Sequence, residues 1–394
     1  MSSAPQADHN DARIGANFVG YEVVNFVADG AMGRVYEARG STGDKVALKV
    51  LHREVVKDTV AVERFKREYE TAEELEHPYI VRVLDFGETP DRSWYLAMEF
   101  LEGEELGEAL RRDGALPLPR VLRVLCQAAV ALDFAHGFGV IHRDLKPDNI
   151  FLCRTDAGDE VRLLDFGTVK LQMETGPKLT AFGTTIGSPY YMSPEQAMGK
   201  LDVDQRTDVF AVAAILFEML TGKIAFHGQN IAEILMKVVN EAAPIPSMVD
   251  PSLDAALDAV IDRGLRKEKE ERYGSVGELA NATLAAVGLS GTAEDWAKKS
   301  IGEIAMGLND VLRSDPARQA AHAQGPAPAA PTPEPAAPPT ANSAPWPEEA
   351  PSSGQQSAAG ISAPSLSGPL VVGGLVVIGL VLALIAALVV LFIV

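Results

Sequence analysis

Eight consecutive residues bring together a histidine, two cations, two acids and an amide: His142-Arg143-Asp144-Leu145-Lys146-Pro147-Asp148-Asn149. Asp144 is a carboxylate able to accept a proton or steer a hydroxyl. Lys146, two positions on, is a cation able to neutralise charge beside it. Asn149, five positions past Asp144, offers an amide oxygen. Asp165, which opens Asp165-Phe166-Gly167, offers a carboxylate. Both are donors suited to a hard divalent ion. A base, a cation and two such oxygens within one short span are the parts that phosphoryl transfer needs.

Other elements must bring these groups together. Tyr21 to Val27 is rich in β-branched and aromatic residues and reads as a strand. Ala28 to Val35 is a turn in which Gly30 and Gly33 would let backbone amides approach phosphates with no Cβ in the way. Taken alone it reads better as a plain hairpin turn. Lys45 to Val50 is a third strand, and Lys49 alone would be an ordinary surface lysine. Val60 to Glu76 has helical period, contains Glu68, and is closed by His77-Pro78. Ile80 to Asp85 and Trp94 to Phe100 read as two more strands. The first part is thus a small β-rich lobe with one helix.

From Glu105 onward the pattern is mostly helical. Pro119 to Phe138 is apolar at i, i+3, i+4 spacing, as a buried helix is. The reactive run follows in a loop before short strands at Ile150 to Leu152 and Val161 to Leu164. Leu171 to Tyr191 is a long polar loop, of the kind that carries function. Asp208 to Leu220 is an almost continuous apolar helix. Its early acid, Asp208, is therefore expected to be buried and to need hydrogen-bond partners.

Taken in order, these motifs resemble the eukaryotic-type (Hanks-type) serine/threonine protein kinases, most closely their bacterial members. The residues that carry the likeness are Val27-Ala28-Asp29-Gly30-Ala31-Met32-Gly33-Arg34-Val35, Val46-Ala47-Leu48-Lys49, Glu68, His142 to Asn149, Leu164-Asp165-Phe166-Gly167, Ser193-Pro194-Glu195 and the helix opening with Asp208. The resemblance covers residues 21–285. It implies an α+β, two-lobed protein-kinase fold with a small β-rich lobe and a larger helical one.

It also implies roles. Lys49 would pair with the α- and β-phosphates of ATP and with Glu68, which orients it. Val27, Ala28, Gly30 and Gly33 would surround the nucleotide. Val35, Ala47 and Phe151 would sandwich the adenine, with the backbone of Glu99 and Leu101 at its edge and Met98 controlling the pocket behind. Asp144 would orient the attacking hydroxyl, with Lys146 near the transferred group. Asn149 and Asp165 would hold Mg2+, with Mn2+ as the alternative ion. Lys146 at this position resembles Ser/Thr rather than Tyr kinases. Ser188 and Tyr191 fall in the segment that would dock a protein substrate, and Glu195 would pair with Arg272. Arg143 implies control by a phosphate on the activation loop, at Thr180, Thr184 or Thr185, added by autophosphorylation. One departure stands out: Ala28 replaces the first glycine of the phosphate loop. It is the one feature that favours the alternative, a nucleotide-binding pseudokinase scaffold.

The rest of the chain bounds the setting. A net charge of −19 and a pI of about 4.8 argue against non-specific nucleic-acid binding. Cys126 and Cys153 show no metal-type spacing and imply no disulfide framework. Residues 1–20 are polar, with no signal-peptide core, and read as a disordered lead-in. Residues 286–314 read as an amphipathic helical extension: Thr292-Ala293-Glu294-Asp295 resembles a capping box, and Ile301, Ile304, Leu308, Val311 and Leu312 line one face. That face would pack on the large lobe or meet a partner, a second copy of the chain included. Residues 315–369 hold 13 of the 25 prolines and read as a disordered linker, with roughly 40 Å of flexible reach. Residues 370–394 carry no charge and, as a helix of about 37 Å, would span a bilayer core of about 30 Å. The expected layout is a cytoplasmic kinase domain on a single-pass membrane anchor, in the inner membrane if the source is bacterial, acting on Ser/Thr of protein substrates.

Overall fold

Strands at Tyr21–Asp29 (β2), Gly33–Arg39 (β3) and Lys45–Leu51 (β4) form where β-branched and aromatic residues alternate with polar ones. The computed structural model describes residues 11, 13–30, 33–56, 59–89, 92–166 and 189–314; within 53–72 some side chains, Glu68 among them, are outside the description. A short strand at Asn17–Phe18 (β1) precedes these three. Two helices, Arg53–Val56 (α1) and Thr59–Glu74 (α2), follow, then strands Val83–Glu88 (β5) and Trp94–Glu99 (β6). The six strands form one antiparallel sheet in the order β1-β2-β3-β4-β6-β5. One face buries Val23, Tyr36, Ala38, Leu48 and Val50. A second apolar layer of Leu51, Phe65 and Leu96 joins the sheet to α2, with Phe86 stacked between Tyr69 and Trp94.

Two sequence boundaries shift. The apolar stretch from Ile80 does not begin β5. Ile80 bridges Leu163 in parallel, and Val81 N–H donates to Leu163 O at 3.0 Å. Ile80 and Val81 are thus spent on the large lobe, and β5 starts three residues later than expected. The folded part also starts before Tyr21, because Phe18 pairs with Tyr21 and Ile14 packs on the sheet. The described portion of the lead-in is therefore ordered structure, not a disordered tail.

The larger lobe begins with Gly103–Glu105 (β7), Leu106–Asp113 (α3) and Leu118–Gly137 (α4). Strands Ile150–Thr155 (β8) and Gly158–Leu163 (β9) form a hairpin that pairs with β7. Pro194–Ala197 (α5), Arg206–Thr221 (α6), Ile231–Asn240 (α7), Pro246–Val249 (α8), Ala256–Gly264 (α9) and Val276–Ala286 (α10) follow. Nearly every residue of α6 is buried, as its unbroken apolar run requires. With α4 it forms the main core.

The extension folds as two helices, Ala293–Ala297 (α11) and Ile301–Ser314 (α12). The capping box is present: Thr292 and Asp295 exchange side-chain-to-backbone bonds. Ile304 is fully buried, and Leu308 and Val311 pack on the main core, so the apolar face is used within the chain. Among the described residues no helix is long and apolar enough to cross a membrane. Residues 315–394, with the expected linker and span, lie outside the described residues.

Candidate active site

The loop bearing His142 to Asn149 is held from behind by one buried carboxylate. Asp208, fully buried near the start of α6, accepts the N–H of His142 at 2.8 Å and of Arg143 at 2.9 Å. It also accepts His136 Nε2 at 2.8 Å. Burial pushes its pKa up, but the hydrogen bond and charge of His136, with His142 and the Arg143 N–H, hold it below the usual carboxylate value. Helix α4 thus supplies a partner that the sequence pattern did not single out. Arg143 adopts φ +65°, a left-handed conformation that a side-chain-bearing residue keeps only under constraint. From the other side, Gln196 Nε2 donates to Arg143 O at 2.6 Å.

This frame presents the expected reactive groups. Asp144 and Lys146 project from the loop with their charged ends 3.8 Å apart. Burial raises the pKa of Asp144; Lys146 and His142 oppose that, Asp165 adds to it, and Asn149 opposes it. Asn149 Nδ2 donates to Asp144 O at 2.7 Å, which leaves its Oδ1 as the oxygen to offer a cation. Its backbone carbonyl accepts Leu164 N–H at 2.9 Å, tying this loop to the segment carrying Asp165. His142 Nε2 donates to Leu164 O at 2.9 Å, and its ring packs on the buried Phe166. Asp165 itself has φ +57°. The turn sends its carboxylate to Lys49 Nζ, 3.0 Å away, across the gap between the lobes. An amide oxygen and a carboxylate are a hard donor pair. They fit an ion such as Mg2+ that takes the rest of its shell from phosphates and water.

The residues expected to line the nucleotide come from both lobes: Val35 on β3, Ala47 on β4 and Met98 on β6, with Phe151 on β8. Val35 is paired with Lys49, and Ala47 with Met98. Phe151, half-buried on β8, faces Glu105 in the register. The Glu99 N–H is spent on Arg82 O at 2.9 Å, so its backbone contribution to a ligand falls to the carbonyl. Val27 is exposed on β2. Gly30 N–H donates to Gly33 O at 3.0 Å, closing the phosphate loop. A Cβ on Gly33 would meet Val50 O at 2.3 Å, so only glycine fits there. Ala28 lies within β2 opposite Val35 and has no positive φ, so its methyl group restricts nothing the backbone needs.

Not every expected group is brought to the site. Thr180, Thr184, Thr185 and Ser188 lie outside the described residues, as does the Glu68 side chain. Tyr191 is only 7% exposed and its hydroxyl donates to Glu218 at 2.5 Å. It is spent inside the large lobe and is not presented to a protein substrate. The Glu195–Arg272 pair is present and bidentate, both contacts at 2.8 Å, with side chains 4% and 0% exposed. Thr207 completes it with a bond to Glu195 at 2.7 Å.

A profile of the protein kinase domain matches residues 21–283. The chain belongs to the protein kinase domain family. The serine/threonine-protein kinase PknH of Mycobacterium tuberculosis is 37% identical over 336 residues, 85% of this chain and 50% of PknH. The serine/threonine-protein kinase pkn3 of Myxococcus xanthus is 40% identical over 273 residues, 68% of this chain and 50% of pkn3. The crystal structure of the M. tuberculosis PknI kinase domain superposes with a TM-score of 0.55 at 31% identity, covering 70% of this chain and 98% of that one. The chain spans about half the length of the curated relatives it matches. The profile match starts at β2 and ends within α10, so β1, α11 and α12 lie outside it.

Proposed function

We propose that this chain is a serine/threonine protein kinase that transfers the γ-phosphate of ATP to hydroxyls of protein substrates. One observation carries the reading: Lys49 and Asp165, from different lobes, meet at 3.0 Å beside the loop that carries Asp144 and Asn149. The transition state of phosphoryl transfer is highly charged, and catalysis is mainly positioning and electrostatic stabilisation. Lys49 holds the α- and β-phosphates. Asp144 accepts a hydrogen bond from the substrate hydroxyl and aims its oxygen at the γ-phosphorus. Lys146 faces the transferred group. Asn149 and Asp165 would hold Mg2+, which supplies charge neutralisation when bound. The test is acceptor choice: purified full chain with ATP and Mg2+ should phosphorylate Ser or Thr in a peptide library and leave Tyr unmodified. Tyr as the main acceptor would overturn the class.

Three finer points belong to the same reading. The chain is tethered to a membrane through residues 370–394, supported by their 25-residue uncharged run. The kinase domain faces the cytoplasm, where ATP is available. Activation proceeds by autophosphorylation at Thr180, Thr184 or Thr185, supported by Arg143. Burial lowers the pKa of its guanidinium and Asp208 partly offsets this, so a phosphate nearby would stabilise its charge. Mass spectrometry of active protein with no phosphate at these three positions would sink the activation scheme.

A further inference from the structure

The segment ahead of β2 lies outside the kinase profile yet is fastened to the stem of the phosphate loop. Asp11, whose side chain is 6% exposed, accepts Tyr36 OH at 2.6 Å and Arg34 Nη1 at 2.8 Å through the same oxygen. Its other oxygen accepts Arg13 N–H at 3.0 Å. Burial pushes the Asp11 pKa up, but the bonds from Tyr36, Arg13 N–H and Arg34 outweigh it and hold the carboxylate charged. Arg13 in turn donates to Tyr36 OH at 3.1 Å and lies over the Phe18 ring. Gly15 and Ala16 exchange backbone bonds with Val23 at 2.8 and 3.1 Å. A tight turn at Val19-Gly20, φ +51° and +88°, then returns the chain into β2. These are the two loop residues of the β1–β2 hairpin, where a two-residue turn requires positive φ at both positions.

Arg34 is the lever. It directly follows Gly33, and its Nε donates at 3.2 Å to Asp29, its partner across the loop stem. Asp29 is also 3.0 Å from His52 Nε2, which lies 3.0 Å from Gly30 O as well. One guanidinium therefore joins Asp11 to both sides of the stem. We propose that Asp11 is a positioning residue for the phosphate loop: by holding Arg34, it sets how tightly the chain grips the phosphates of a nucleotide. The inference rests on the phosphoryl-transfer reading above. It makes the segment before the kinase domain part of the catalytic unit.

The test is a fluorescence titration of the full chain with the Mg2+ complex of an N-methylanthraniloyl ADP probe. Asp11→Asn and Arg34→Gln should each weaken binding about fivefold, the low end of a typical coupling between sites. Acting along one path, the double variant should bind no more weakly than Arg34→Gln alone. KM for ATP should rise by the same factor with kcat within twofold of wild type, and Asp11→Glu should recover most of the affinity. If Asp11→Asn does not fold, Arg34→Gln, which leaves Arg13 packed on Phe18 and Tyr36, reads the same link alone: unchanged affinity would overturn the proposal. A foldable Asp11→Asn within twofold of wild type, or losses that add in the double variant, would also overturn it. A wild-type chain that binds no probe would overturn the phosphoryl-transfer reading and this proposal together.

Discussion

Lys49 and Asp165 lie 116 positions apart in sequence and meet at 3.0 Å across the gap between the two lobes. The contact needs strand β4 in register with β3 and β6, and the left-handed turn at Asp165, both at once. Replacing Lys49 by Met keeps the length of the side chain and removes the charge. Phosphoryl transfer should then fall roughly 100-fold or more, as when one preorganised stabilising group is lost. Thermal unfolding checks that the fold survives, and kcat measures the loss.

Asp208 holds the catalytic loop through two backbone N–H groups and His136. Asp208→Asn can present only one oxygen to three donors. Burying unpaired donors costs about 1–3 kcal/mol each. Urea unfolding should show a loss in that range, with a loss of activity larger than the Tm change alone accounts for.

The Glu195–Arg272 pair is almost completely buried, and Arg272 also donates to Arg206 O, Arg266 O and Lys267 O. Arg272→Met leaves a carboxylate buried without its cation, at a cost of about 3–5 kcal/mol. Denaturant unfolding of the variant beside wild type gives the number directly.

Glu105 predicts a pH dependence. Burial, with Asp148 and Glu108 nearby, pushes its pKa from 4.5 up to about 7. The folded chain therefore holds this proton more tightly than the unfolded chain. The stability it confers is fully present below about pH 4.5 and is lost as pH rises through about 7. Glu105→Gln should raise Tm relative to wild type at pH 8, and the difference should shrink toward pH 5. A Tm difference that does not change between pH 5 and pH 8 would contradict the assignment.

Much of the large lobe is legible in the sequence because its signals are local. The run His142 to Asn149, the apolar helix behind Asp208 and the Thr292–Asp295 box each carry their geometry in short spacings. The partners that complete them do not. His136 reaches Asp208 across 72 positions, and Tyr191 reaches Glu218 through a segment with no periodic pattern. The strap before β2 was hidden because its residues are polar and show no alternation; its structure comes from Asp11 meeting Arg34 and Tyr36 some 23 and 25 positions away. The start of β5 is not legible because an apolar run does not say which sheet it joins. Ile80 and Val81 join β9 instead.

Residues 370–394 give a prediction of their own. The full chain should stay with the membrane fraction in alkaline carbonate, and a chain ending at residue 369 should be released with its kinase activity retained. Release of the full chain would contradict a span.

The role assigned to Asp144 is to orient a protein hydroxyl for attack on ATP. Transfer of label from γ-32P-ATP to protein, in wild type and Asp144→Asn, tests it most directly, with nucleotide binding measured on both. Wild type should transfer label to Ser or Thr, and the variant should bind nucleotide equally while losing roughly 100-fold or more in rate. Equal transfer by the two proteins, or no transfer by a wild type that binds ATP, would contradict the account.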